Sequence, residues 1–253
     1  MIKILYEDDN ELKFIFEGPL CLANSLRRII LDEVPVFAID IMEIYNTTSY
    51  PEELILNRLN MLPIDSSDVD NYNFRYNCPN CIAGCTKCGI VFTVEKKGSG
   101  MIMSGDIKSD KGKITNLNIP IITLNEDQEM KIVMIATKGT HLNHAKYAAC
   151  SSCIFRHSLT YTTKEHKEEI DKIFQQCPQT EIEMKNGTPE EFNNIACSEC
   201  IKKARTISEI KIIDNKNKTF FVLKSAGQLK PKDILLRALK IAIEKFENLS
   251  NQL

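Results

Sequence analysis

The chain has 253 residues, 43% of them hydrophobic, and a formal net charge of −2. That is enough apolar material for one large core or two modest ones, and too little positive charge to bind a nucleic acid unaided. No run approaches the ~18 consecutive apolar residues of a membrane span and the opening MIKILYEDDNELKF has no apolar signal region, so a soluble, intracellular protein without a membrane partner is expected.

Ile2, Ile4 and Tyr6 alternate with other residues, Asp8-Asp9-Asn10 reads as a turn, and Leu12, Phe14 and Phe16 alternate again. This predicts a β-hairpin, which Gly18-Pro19 then breaks. Residues 22–34 have helical period, with Leu22, Leu26, Ile29, Ile30 and Val34 on one side, Arg27 and Arg28 projecting elsewhere, and Pro35 as the stop. Cys21, alone at the apolar start of this helix, reads as a core residue. A strand pattern returns at 36–45, and 52–62 predicts a second helix ended by Pro63. A turn-rich stretch over 65–88 precedes strand-like runs at 90–94, 101–107 and 130–135. From 164 to 205 charged helical residues surround a loop at Asn186-Gly187, and 206–223 reads as a second hairpin with Asn215 and Asn217 in its turn.

The final helix starts near Pro231, a residue favoured at the first helical position. It carries Leu235, Leu239, Ala242, Phe246 and Leu249 in a 4-3-4-3 spacing, the seam of a helix lying along another. Two heptads are too few for an independent coiled coil, so the seam joins a bundle or a partner subunit. Hairpin and helix at each end, with a cysteine-rich body between, suggest one α+β domain interrupted by an insertion.

Ten cysteines without a signal peptide argue for metal rather than disulfides. Cys78, Cys81, Cys85 and Cys88, in CPNCIAGCTKC, follow a Cys-x2-Cys-x3-Cys-x2-Cys spacing. Each pair can turn both sulfurs toward one point, and four thiolates around a centre suit zinc and, less often, iron. The three residues between the pairs leave no room for a recognition helix, and Lys87 is the only basic residue inside. The loop therefore reads as a clip holding one structural ion, with a reduced, metal-free loop as the bland alternative. A closed four-cysteine site has no position left for a substrate. Phosphate-loop, nucleophile-elbow and H-E-x-x-H motifs are missing from the sequence. His141 and His144, three residues apart, read as structural. No catalytic and no cofactor-binding residue is assigned.

Residues 15–64 resemble the N-terminal region of the RNA polymerase assembly subunit family. That family comprises the third-largest subunit of eukaryotic RNA polymerase II, its archaeal counterpart and the bacterial alpha subunit. The matching pieces are Leu22-Ala23-Asn24-Ser25-Leu26-Arg27-Arg28, Glu33-Val34-Pro35, Ala38-Ile39-Asp40, and Leu56-Asn57-Arg58-Leu59 leading to Pro63-Ile64. The cysteine loop lies where the polymerase II subunit carries its zinc loop. Gly139 followed by His144-Ala145-Lys146-Tyr147 resembles the family's HAKW segment, and Phe220 to Gly227 with the last helix resembles its closing strand and dimerisation helix.

The resemblance implies a discontinuous dimerisation domain, 1–38 with 207–253, formed by a sheet and two helices. A β-rich insert, 39–206, holds the zinc loop (65–90) and a ferredoxin-like element (165–206). It implies a non-catalytic scaffold that heterodimerises with a small L-type, eleventh-subunit-like chain and carries the two large catalytic subunits, with DNA contacted only through the complex. Arg27 and Arg28 would face the large subunits, where guanidinium forks suit carboxylates and carbonyls. Leu235, Leu239, Ala242, Phe246 and Leu249 would line the partner interface.

Cys177-Pro178 and Cys197-x2-Cys200 resemble the ferredoxin-like insertion of some archaeal members of the family, but Lys203 stands where the run needs a further cysteine. The segment reads as a remnant that has lost its iron–sulfur cluster. Two other accounts are a three-thiolate second site at Cys177, Cys197 and Cys200, or Cys150 and Cys153 joining Cys197 and Cys200; Cys150 and Cys153 as small buried residues are the plain one. Rival functions are an independent zinc-stabilised nucleic-acid-binding protein and an iron–sulfur electron carrier. The zinc loop points to a polymerase II-like enzyme, while the 177–200 element points to an archaeal or polymerase I/III-like one. Trp is absent and Ile, Lys and Asn are plentiful, as in the product of an AT-rich genome, which would also suit a large DNA virus. Location follows that choice: the nucleus for a cellular eukaryote, the cytoplasm or virion otherwise.

Overall fold

The structure, a computed structural model, describes residues 1–46, 50–79, 81, 85–163, 167–176, 182–185, 188–192, 198–207 and 210–252. It is a mixed α/β fold whose chain divides into two compact units, Met1–Arg27 with Ser152–Leu223, and Arg28–Ser151 with Lys224–Leu253.

In the first unit, β1 (Ile2–Glu7) and β2 (Glu11–Glu17) form the expected antiparallel hairpin. Asp8 makes its turn, with Oδ1 accepting the N–H groups of Asn10 and Glu11 at 2.7 and 2.5 Å. The hairpin is one edge of a six-stranded sheet with β8 (Cys150–Thr163), β9 (Ile182–Lys185), β10 (Thr188–Phe192) and β11 (Ile210–Ser225), in the order β1-β2-β11-β8-β10-β9. Phe14 stacks on Phe221 with ring centroids 4.8 Å apart, and Phe155 lies 5.3 Å from Phe221. Helices α3 (Lys167–Gln175) and α4 (Ser198–Ile207) belong to the same unit.

Three expectations are corrected here. β11 is one strand of 16 residues, not a hairpin turning at Asn215 and Asn217. Asn217 accepts the Gly18 N–H at 2.8 Å, and the Thr219 hydroxyl donates to the Phe16 carbonyl at 3.2 Å. Pairing with β2 keeps the chain extended and overrides the turn preference of Asn. In α1 (Leu20–Asp32), Ala23, Leu26, Ile29 and Ile30 are buried, whereas Leu22 and Cys21 are exposed. Leu22 lies in the first turn at the margin of the buried stripe. Cys21 is two residues from Ala23 and so points to the opposite side of the helix.

The second unit is built on β3 (Val36–Asn46), β7 (Glu129–Gly139) and β4 (Gly89–Lys97), antiparallel in the order β3-β7-β4, with a ribbon of β5 (Gly100–Met103) and β6 (Pro120–Leu124). The strand expected over 101–107 stops at Met103, where Ser104–Asp106 form a 3-10 turn. Alternate residues of β4 and β7, including Phe92, Val94, Ile132 and Met134, enter one core with Phe37, Ile39 and Leu59, the last from α2 (Glu52–Asn60). The Ser66 hydroxyl accepts the Phe37 N–H and donates to the Ile64 carbonyl, both at 2.9 Å. A buried polar group is satisfied that way.

The last helix, α5 (Pro231–Ser250), buries Ile234, Leu235 and Ala238 in its first turns. Arg237 pins it, donating to the Ser67 carbonyl at 2.7 Å and pairing with Asp70 at 3.0 Å, and Lys245 pairs with Glu33. Farther along, Ile243, Phe246 and Leu249 are each more than half exposed. Among the described residues, no helix is long and apolar enough to cross a membrane.

Candidate metal centre

The four-cysteine loop is held at both ends. A 3-10 turn, Arg75–Asn77, leads into Cys78, whose N–H reaches the Arg75 carbonyl at 3.2 Å. At the other end the Cys85 carbonyl accepts the N–H groups of Cys88 and Gly89 at 3.0 and 2.8 Å, so the second pair closes a turn that runs directly into β4. The Asn73 N–H bonds to the Lys87 carbonyl at 3.0 Å and ties the approach to the exit.

The four Sγ atoms lie within 4.8 Å of one another. Cys78 to Cys85 is 3.6 Å, Cys81 to Cys88 is 3.2 Å and Cys85 to Cys88 is 3.7 Å. Four sulfurs placed at ~2.3 Å around a tetrahedral ion have edges of roughly 3.8 Å. These three spacings are near that figure and the others do not exceed 4.8 Å, so the residues fit a single thiophilic ion. Such a site has no open position and acts by holding the loop rather than by chemistry on a substrate.

The thiols differ in their readiness to ionise. The backbone N–H of Lys87 donates to the Cys85 sulfur and brings its pKa down to about 7. Burial pushes the Cys88 thiol up to about 12, and contact with Cys85 raises Cys78. A cation in the loop would displace these protons.

Beside the loop lies an ionic cluster that sequence reading did not single out. Asp40 on β3 accepts Lys146 Nζ at 2.7 Å through Oδ1 and Arg75 Nη1 at 3.3 Å through Oδ2. Burial alone would raise the Asp40 pKa, but the hydrogen bonds and charges of Lys146 and Arg75 outweigh it and hold the carboxyl below its usual range. Next to it the Tyr147 hydroxyl shares a 2.8 Å hydrogen bond with Thr137, and burial pushes its pKa up to about 12. Gly139 makes room for that ring: a Cβ there would stand 2.7 Å from three of its carbons. His144 is structural in part, its Nδ1 accepting the Lys146 N–H at 3.1 Å.

Among the described residues the loop is the one group able to hold a metal ion. Cys177 and Cys197 lie outside the described residues, and Cys200 is half-buried on α4. Cys150 and Cys153 are both buried. Arg27 is half-buried and donates twice to Asn24 Oδ1, at 3.2 and 3.0 Å, while Arg28 is exposed. Along α5, Leu235 is buried, Leu239 and Ala242 are half-buried, and Phe246 and Leu249 are exposed.

The RNA polymerase Rpb3/RpoA insert-domain family matches residues 39–153. The DNA-directed RNA polymerase subunit Rpo3 of Archaeoglobus fulgidus is 31% identical over 254 residues, covering 98% of this chain and 96% of that one. The chain belongs to the Rpo3/Rpb3 family. The Rpo3 of Methanosphaera stadtmanae is 30% identical, covering 99% of this chain and 97% of that one. The DNA-directed RNA polymerase II subunit rpb3 of Dictyostelium discoideum is 26% identical, covering 100% and 94%. The family's insert-domain match encloses the whole cysteine loop together with Asp40, Arg75 and Lys146.

Proposed function

We propose that this chain is the non-catalytic assembly subunit of a multisubunit DNA-directed RNA polymerase, pairing with a small L-type subunit to carry the two large catalytic subunits. Membership of the Rpo3/Rpb3 family at full length carries the subunit assignment. The exposed apolar run on α5 supports the pairing: Phe246 and Leu249 are 56% and 55% exposed, and burying the rest of each against a partner helix would contribute about 1–1.5 kcal/mol. Leu239 and Ala242 continue that seam, and Arg28 offers a guanidinium to the large subunits. In this reading the two chain ends, 1–38 and 207–253, act as one dimerisation domain, and 39–206 is its insert.

Zinc is the ion the loop suits best, because four thiolates at tetrahedral spacing select it over harder cations. Held by Cys78, Cys81, Cys85 and Cys88, it would supply folding energy to the loop and take no part in nucleotide transfer. The pairing is tested by co-expressing the chain with the small subunit. Phe246→Asp with Leu249→Asp is expected to abolish co-purification while leaving the chain's own melting temperature within a degree or two. Retention of the partner by that double variant would remove α5 from the interface.

A further inference from the structure

A cleft of about 330 Å³ opens beside the metal loop, and its lining is lopsided in charge. Asp40 is its carboxylate, already engaged by Lys146 and Arg75. Against it stand Arg75, Lys138 and Lys146, an excess of two positive charges in the lining. Lys138 Nζ gives one proton to the Tyr72 carbonyl at 3.0 Å and also feels the charges of Asp70 and Arg237, and as an ammonium it has two further protons to offer. The neutral lining groups are donors as well. His144 accepts at Nδ1, so in the neutral ring its proton sits on Nε2. Asn143 spends its Oδ1 on the N–H and hydroxyl of Thr140, both at 3.1 Å, which leaves its amide NH2 to offer.

At the rim, Tyr76 is 73% exposed and stacks on Phe74 with centroids 5.2 Å apart, and Lys138 Nζ lies 4.9 Å from the Phe74 ring centre. A recess rich in donors, with an aromatic shelf at its mouth, selects an anionic oxygen next to an apolar group.

The geometry points to this cleft as a docking site for an acidic peptide segment of another protein, a carboxylate entering among Lys138, His144 and Asn143 and a neighbouring apolar side chain lying on the Tyr76–Phe74 stack. A peptide fits better than a nucleic acid. Lys146 is recessed at 8% exposed, and Arg75, at 39%, is turned onto Asp40, so the cations do not form the exposed basic track that a phosphate backbone follows. The inference stands on the cleft alone and does not rest on the scaffold reading. Metal in the loop would brace the Arg75–Tyr76 wall without touching the ligand.

The test titrates the full-length protein with a fluorescein-labelled Glu-Asp-Phe-Glu-Leu peptide and its neutral counterpart, Gln-Asn-Phe-Gln-Leu, at low salt. The acidic peptide is expected to bind about tenfold tighter, with the preference shrinking as salt is added. Lys138→Gln is expected to remove most of that preference, and Tyr76→Ala to weaken both peptides. Asn143→Asp guards against a misfolded lysine variant: the residue is exposed, its carboxylate still accepts the Thr140 N–H, and it places a negative charge in the cleft. It too is expected to erase the preference. Equal binding of the two peptides, an acid preference that survives Asn143→Asp, or displacement of the acidic peptide by inorganic phosphate at equal concentration would each overturn the proposal.

Discussion

Asp40→Asn is the sharpest probe of how the insert is held together. The change is nearly isosteric and keeps an oxygen for Lys146, but it removes the charge that the buried ammonium faces at 2.7 Å. Removing one partner from a fully buried ion pair costs about 3–5 kcal/mol, because the remaining charge is left uncompensated. Lys146 is buried, yet the Asp40 side chain is 29% exposed and Arg75 more so, and solvent screening lowers the expected loss to about 2 kcal/mol. In a chain of this size that corresponds to about 4–8 °C in melting temperature. Urea and thermal unfolding of the metal-loaded protein at pH 7 read it directly.

The pH dependence has a fixed sign. The folded Asp40 carboxyl is held below its ordinary value. Its contribution is therefore complete above about pH 4 and fades as the pH falls from there through the depressed native value. The gap between wild type and Asp40→Asn should be flat from about pH 5 to 8 and close under acid. The double variant Asp40→Asn, Lys146→Gln should lose less than the two single losses added, by about 1 kcal/mol or more. An Asp40→Asn loss below about 0.5 kcal/mol at pH 7, or a gap that widens on acidification, would mean that the Asp40 charge does not stabilise the fold.

Cys81→Ser is expected to take bound zinc from one equivalent to none and to speed amide exchange over 65–90, with the six-stranded sheet unaffected; hydrogen exchange with mass spectrometry and metal analysis check both. Zinc loading of the apo protein should release nearly one proton more per ion at pH 6 than at pH 8, because the Cys85 thiol is brought down to about 7 in the free loop; a stoichiometry independent of pH in weakly buffered titrations would mean that the Lys87 N–H does not lower the Cys85 thiol. Gly139→Ala puts a methyl 2.7 Å from the Tyr147 ring, so a loss of about 1–3 kcal/mol in urea unfolding is expected. A neutral result would mean that the ring can move off β7 freely.

The parts of this fold that could be read from sequence are those whose cause is local. The first hairpin follows from alternation plus an aspartate that closes its own turn, and α5 begins at Pro231 because proline suits a first helical turn. The cysteine loop is equally local, its four cysteines falling within eleven residues. What escaped depends on distant partners. β11 reads as a turn at Asn215 and Asn217 until β2 lies beside it. β8 carries buried cysteines at positions 150 and 153, an odd separation that breaks the alternation by which a strand is recognised.

The Asp40–Lys146 pair joins residues 106 apart in sequence, and no period or spacing announces it. Asp40 and Lys146 do both fall inside the segments that carry the family resemblance, which was the available signal. Helical period also overreached at the start of α1, where it assigned Leu22 to a core that does not extend so far.

A scaffold has companions, so native mass spectrometry of the tagged protein purified from its own source decides whether this chain is one. The expected spectrum contains a heterodimer with one small subunit, larger assemblies that add two large chains, and one zinc per copy. A lone 28.8 kDa species without companions would contradict the account.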